Sequence, residues 1–109
     1  MSVVKLSLAG KIEEIDKPWS TVEVALVNDQ AVRLAMFQGE YHWHKHTDED
    51  ELFYVLKGDM ILQLEDQPDI ALMEGEMAVV PKGLEHCPRS EGVSYVLMFE
   101  PQALESPGD

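Results

Sequence analysis

The chain of 109 residues has a single cysteine, Cys87, so no internal disulfide can staple it. That fits a reducing compartment, and a cytoplasmic location is expected. Basic residues are scarce as well: 8 Lys and Arg stand against 21 Asp and Glu, a formal charge of −13. Such a field repels nucleic-acid phosphates and anionic lipid headgroups, so neither nucleic acid nor membrane is expected as a partner. No run approaches the roughly 20 apolar residues that a spanning helix needs. The N-terminus carries Lys5 and only a brief apolar stretch, too little for a secretory signal. Internal repeats and low-complexity tracts are absent too.

What is present is a pattern of short strands. Apolar content is 45%, and a chain of this length forms one domain over residues 1–109. Apolar residues recur with period 2 rather than 3.6. Val22, Val24 and Leu26 alternate with Glu23, Ala25 and Val27, and Asn28, Asp29 and Gln30 then supply turn chemistry. Ala31 to Gln38 reads as the return strand. Further strands are expected over Glu51–Leu56, Met60–Glu65, Ile70–Met73, Met77–Val80 and Val93–Glu100. Gly58, Pro68, Gly75, Pro81, Gly83, Pro88 and Gly92 punctuate them. An all-β sandwich or barrel follows, with its core over about 31–100 and a loose tail over 101–109. Met36, Met60, Met73, Met77 and Met98 read as core filling. Leu52, Tyr54 and Leu56 make the second face of their strand apolar too, which suits packing on another sheet or on a second subunit.

Of four histidines, three crowd into His42–Trp43–His44–Lys45–His46. Extended backbone projects His42, His44 and His46 to one face. Glu51 opens the next apolar run, and His86 follows the turn Pro81–Lys82–Gly83. A lone histidine on an apolar face is usually a satisfied core residue. Imidazoles two residues apart, with a carboxylate on the adjoining strand, are costly to desolvate together unless something ligates them in common. A divalent cation does so. Nearby, Asp48, Glu49 and Asp50 read as a solvated acidic loop and Cys87 as a small buried hydrophobe. Tyr41, Tyr54 and Tyr95 read equally as proton donors or barrel packing.

The spacing is that of a known family. His44-x-His46, four residues, Glu51, six residues, Gly58 resembles the first cupin motif. Gly75, five residues, Pro81-x-Gly83, two residues, His86 resembles the second. Gly39 stands one residue nearer His44 than the family's usual glycine, and Ser90 stands where asparagine often ends the second motif. More closely, the chain looks like small cupins labelled as related to sugar-phosphate isomerases. The resemblance implies a double-stranded β-helix, the jelly-roll barrel, holding one divalent ion (Mn, Fe, Ni or Zn) through His44, His46, Glu51 and His86. His42 fits the ligand face but not the spacing to Glu51. A metal-dependent enzyme of oxygenase, isomerase or lyase type is expected, acting on a small-molecule ligand. A non-catalytic metal- or ligand-binding module is the alternative. Small cupins of this resemblance commonly pair, and a homodimer is expected.

Overall fold

The period-2 segments form antiparallel strands in a computed structural model that describes residues 1–104 and 108. In chain order these are β1 (Thr21–Val27), β2 (Gln30–Glu40), β3 (Glu51–Lys57), β4 (Asp59–Leu64), β5 (Gln67–Met73), β6 (Met77–Val80) and β7 (His86–Pro101). One five-stranded face runs β1-β2-β7-β3-β6, while β4 pairs with β5 and with β7. β7 belongs to both faces. Its first residues, His86 to Arg89, pair with Leu64 to Ile61 of β4, and Tyr95 to Phe99 lie between β2 and β3. Two faces sharing a bent strand make the expected jelly roll. The core lies between them, where Phe37, Phe53, Val55, Met60, Leu62 and Val96 interdigitate. Burying each such side chain contributes about 1.5–3 kcal/mol.

Between β3 and β4, which both run antiparallel along β7, the chain turns a corner from one face to the other at Gly58, with φ +81°. A Cβ there would lie 2.8 Å from the Val93 carbonyl oxygen, so only glycine fits this corner.

Several expectations need correction. The last strand begins at His86, not Val93. Pro88 and Gly92 read as breakers, yet Pro88 sits in register opposite Leu62 and its carbonyl accepts the Tyr41 N–H at 3.0 Å. In β1 the register shifts between Glu23 and Ala25, which turns Leu26 out of the alternation to 51% exposure. Met73 and Met77 are more than half exposed, so only Met60 and Met98 of the methionines fill the core as fully buried residues. A short helix, α1 (Leu8–Ile12), precedes the strands; Ser7 caps it by accepting the Gly10 N–H. The tail is held more firmly than expected as far as residue 104. Pro101 closes β7, Leu104 is buried, and Arg33 donates to the Gln102 and Leu104 carbonyls. Residues 105–107 and 109 of that tail lie outside the described residues.

Candidate metal centre

Backbone pairing brings the four anticipated residues together. His44 and His86 form an isolated antiparallel bridge, each N–H donating to the other's carbonyl at 3.0 and 2.9 Å. Their rings therefore face each other, with centroids 4.4 Å apart. The turn before His86 is tied to the first motif from two sides. The Gly83 N–H donates to the His46 carbonyl at 2.9 Å, and the Lys82 N–H donates to Asp50 Oδ1 at 2.8 Å. Gly83, with φ +82°, supplies the left-handed conformation this turn needs. Glu51, the first residue of β3, is paired with Val80 of β6 and points inward.

One donor atom from each of His44, His46, Glu51 and His86 lies within 4.8 Å of the others, and all four residues are buried. Glu51 Oε1 is 3.5 Å from His46 Nε2 and 3.7 Å from His86 Nε2. His44 Nδ1 lies 2.9 Å from the His42 carbonyl, and His86 Nδ1 2.9 Å from the Leu84 carbonyl. A carbonyl oxygen only accepts, so each Nδ1 carries the proton and each neutral ring keeps its Nε2 lone pair. His86 Nε2 is buried with no hydrogen-bond partner among the described residues. An orphaned imidazole lone pair beside a buried carboxylate is the arrangement a metal ion satisfies. These residues could hold one such ion.

Electrostatics agree. Burial lowers the pKa of His44, and the neighbouring His86 and His46 lower it further, so this ring is neutral at neutral pH. Burial pushes the Glu51 carboxyl up. The close approach of His46, His86 and Glu100 outweighs it and holds Glu51 well below the usual carboxylate range.

His42 stays outside the group: its ring is exposed, and its contribution is the carbonyl that fixes His44. Asp48 and Asp50 are exposed and Glu49 half-buried; Asp50 serves the Pro81–Gly83 turn rather than the site. Cys87 is fully buried. Ser90 is buried as well, its hydroxyl within hydrogen-bond reach of the Asp59 and Gly92 carbonyls and of Ser94 Oγ. Among the tyrosines, Tyr41 reaches the site, its ring edge-on to His44 at 5.4 Å. At the far end of the chain, Gly108 packs so closely that a Cβ would lie 2.8 Å from His44 Cδ2.

Sequence reasoning missed two features. A small cleft with a cavity volume of about 30 Å³ lies beside His44 and Glu51, walled by Trp19, Phe37, Tyr41, Phe53 and Met98. Trp19 sits in the Lys17–Ser20 turn, where no period marks it; the clue was a large aromatic beside Pro18 in an otherwise polar turn. Behind Glu51 lies Glu100, 1% exposed and paired with Arg33 at 2.6 Å. In the sequence Glu100 marks the end of a strand and the middle of Phe99–Glu100–Pro101, with no sign of a partner.

The cupin domain model matches residues 22–100, which carry both motifs. The chain belongs to the cupin family. A cupin-2 domain protein from Shewanella frigidimarina has a crystal structure that superposes with a TM-score of 0.84 at 35% identity, covering 88% of this chain and 93% of that one. The uncharacterised protein YdbB of Bacillus subtilis is 41% identical over 101 residues, 93% of this chain and 87% of its own. The 3-hydroxyanthranilate 3,4-dioxygenase of Xenopus tropicalis is 34% identical over 80 residues, 68% of this chain but only 29% of the dioxygenase. Trp19 and Thr21 precede the segment that the cupin model matches, so this wall of the cleft is added from outside it.

Proposed function

We propose that this cupin is a metal-dependent oxygenase in which His44, His46, Glu51 and His86 hold one divalent ion. The observation that carries the reading is the buried convergence of these four donors, with the His44 and His86 lone pairs directed inward by backbone carbonyls. The likeness to 3-hydroxyanthranilate dioxygenases favours oxygenase over isomerase or lyase chemistry, a role that a redox-active metal such as iron suits better than zinc. Bound there, iron would supply dioxygen activation and a Lewis acid for a substrate oxygen.

The chain's own residues do the rest. Three neutral imidazoles and one carboxylate leave the site a net positive charge when a divalent ion is present, which favours binding of an oxygen donor. Phe37, Phe53 and Met98 keep bulk water from the cleft. Burial, and then the Glu51 carboxylate, raise the pKa of the Tyr41 hydroxyl, so it remains a proton donor at the cleft wall through neutral pH.

Metal analysis of the wild type, His86→Ala and His42→Ala tests the ligand set. The wild type should hold about one divalent ion per chain. His86→Ala removes a ligand and should lose far more affinity than His42→Ala, for which losses of about 10- to 100-fold are the ceiling. His42→Ala keeps the backbone carbonyl that orients His44. Equal losses would show that the wrong histidines were chosen. Dioxygen uptake by iron-loaded protein then separates an oxygenase from a binding module: ligands that bind without uptake support the module.

A further inference from the structure

Two parts of the fold present apolar or hydrogen-bonding surface that nothing in the chain covers. One is the arm Val3–Ser7 ahead of α1, which joins no strand or helix. Its Val3, Val4 and Leu6 are 101%, 71% and 44% exposed, three aliphatic side chains clustered in water. The other is the outer edge of β6, which ends the five-stranded face and is paired on one side only, by β3. We propose that the arm of one copy adds as a strand to the β6 edge of a second copy, and reciprocally, in an arm-exchanged homodimer.

The three strands with an open edge differ in how that edge is protected. β1 carries Glu23 and a register shift after it, and β5 carries Pro68 and Asp69. Charges, prolines and irregularities of this kind blunt an edge against further pairing. β6 reads Met77–Ala78–Val79–Val80 in unbroken register with β3 and has none of them. A bare apolar edge is a template for another strand. The arm suits it: Val4 and Leu6 share one face of an extended segment, with Val3 and Lys5 on the other. Between β6 and β5 lies an apolar cleft of about 130 Å³, with Ile70, Val79, Leu62 and Leu64 among its walls. A cavity of about 150 Å³ holds a benzene-sized group, so this one can take an aliphatic side chain such as Leu6.

Charge is complementary. Lys5 and Lys11 are the ionisable side chains before Glu13, in a chain of net charge −13. The segment that borders the cleft carries Glu65, Asp66, Asp69, Glu74 and Glu76 and no basic residue.

Reach decides that the occupant is a second copy. α1 contacts β1 and β2, and the strand order β1-β2-β7-β3-β6 puts β6 at the opposite end of the face. Four strand spacings are about 19 Å. The five residues of the arm span about 17 Å when fully extended, so within one chain the crossing would consume them and leave nothing to pair. Exchange between two copies has no such limit, and a two-fold axis satisfies both edges at once.

Paramagnetic relaxation in a mixed dimer tests the exchange. Ser2→Cys protein bearing a nitroxide is mixed with isotope-labelled wild type, so any broadening arises between copies; Cys87 is fully buried, out of reach of the spin-label reagent. The amides of Met77 to Val80 in the wild-type copy should broaden. Val4→Asp with Leu6→Asp in the arm should abolish this and raise the dimer Kd at least tenfold by sedimentation. Val79→Lys, at a position 56% exposed, should do the same from the β6 side with unchanged far-ultraviolet dichroism. Lys5→Glu should weaken the dimer several-fold at low salt and less at high salt. Broadening confined to β1 and β2, no broadening at all, or arm variants that dimerise as tightly as the wild type would overturn the inference. Uptake of the wild type by anionic lipid vesicles without broadening at β6 would overturn it too, in favour of a lipid surface. If Val79→Lys does not fold, the arm variants still decide.

Discussion

Arg33 donates through Nη1 to Glu100 Oε2 across 2.6 Å, and the same guanidinium reaches the Leu104 and Gln102 carbonyls at 2.9 and 2.8 Å. One side chain thus ties β2 to the end of β7 and to the segment beyond it. Glu100 is almost wholly buried beside Glu51. Burial and the Glu51 carboxylate push the Glu100 pKa well above the usual range, against the pull of Arg33. Of the two carboxyls, Glu100 is therefore the one that keeps the proton, and Glu51 stays ionised for a cation.

Arg33→Met should lower stability by about 2 kcal/mol, because the protonated Glu100 carboxyl and the Gln102 and Leu104 carbonyls all lose the charged donor that Arg33 supplies. Urea denaturation measures it. Adding Glu100→Leu to that variant should recover part of the loss, since no buried polar partner is then left behind. A loss below about 1 kcal/mol for the single variant would show that Arg33 only decorates the surface.

How much of this was legible in the sequence follows from the range over which each feature is encoded. The His44–His46–Glu51 and Gly75–His86 spacings are local, and the turns that aim those residues are fixed by Gly83 and Pro81, so the four-residue group could be read. Strand type was legible wherever one face is buried, as in β3, where Glu51, Phe53 and Val55 alternate with half-buried Leu52, Tyr54 and Leu56. β7 was cut short because a proline and a glycine look like breakers until both partner strands are known. The Glu23–Ala25 irregularity has no signature in composition. Arg33 and Glu100 are 67 positions apart, and Trp19 meets Phe37 and Tyr41 because the β1–β2 register continues past Thr21 and Ala35. Such long-range partners are set by topology rather than by spacing.

A homodimer is expected from the outer surface of β3, β6 and β7. Leu52 is flanked by Val79 and Phe99, and Tyr54 by Met77 and Leu97, in register. Met77, Val79 and Phe99 are 57%, 56% and 40% exposed, a contiguous apolar patch. At the other end of the same sheet the N-terminal segment covers β1 and β2, where Leu34 and Ile15 are buried. Light scattering at tens of micromolar should give twice the chain mass, and Leu52→Lys should give the monomer mass with its far-ultraviolet dichroism unchanged. A monomeric wild type would refute the expectation.

Acid should strip the ion and the stability it brings, and the order of events follows from the ligands. The bound ion needs neutral imidazoles, whose reference pKa is near about 6.5. His44 is already depressed by burial in the metal-free fold. A group depressed on folding contributes stability that is fully present above its unfolded value and is lost as pH falls through its folded value. Metal binding has the same sign, because it too favours the neutral ring. Glu51, held low by His46 and His86, gives up its charge only in stronger acid, so the histidines govern the window. At free metal near 100 times Kd, binding adds about 2.7 kcal/mol. For a domain of this size that is roughly 10–20 °C in Tm. The gap between metal-loaded and metal-free protein should be near that value at about pH 7.5 and should close by about pH 5.5. A chelator at the higher pH should reproduce the metal-free Tm. A gap of equal size at both pH values, with metal retained throughout, would rule out a site built on three histidines.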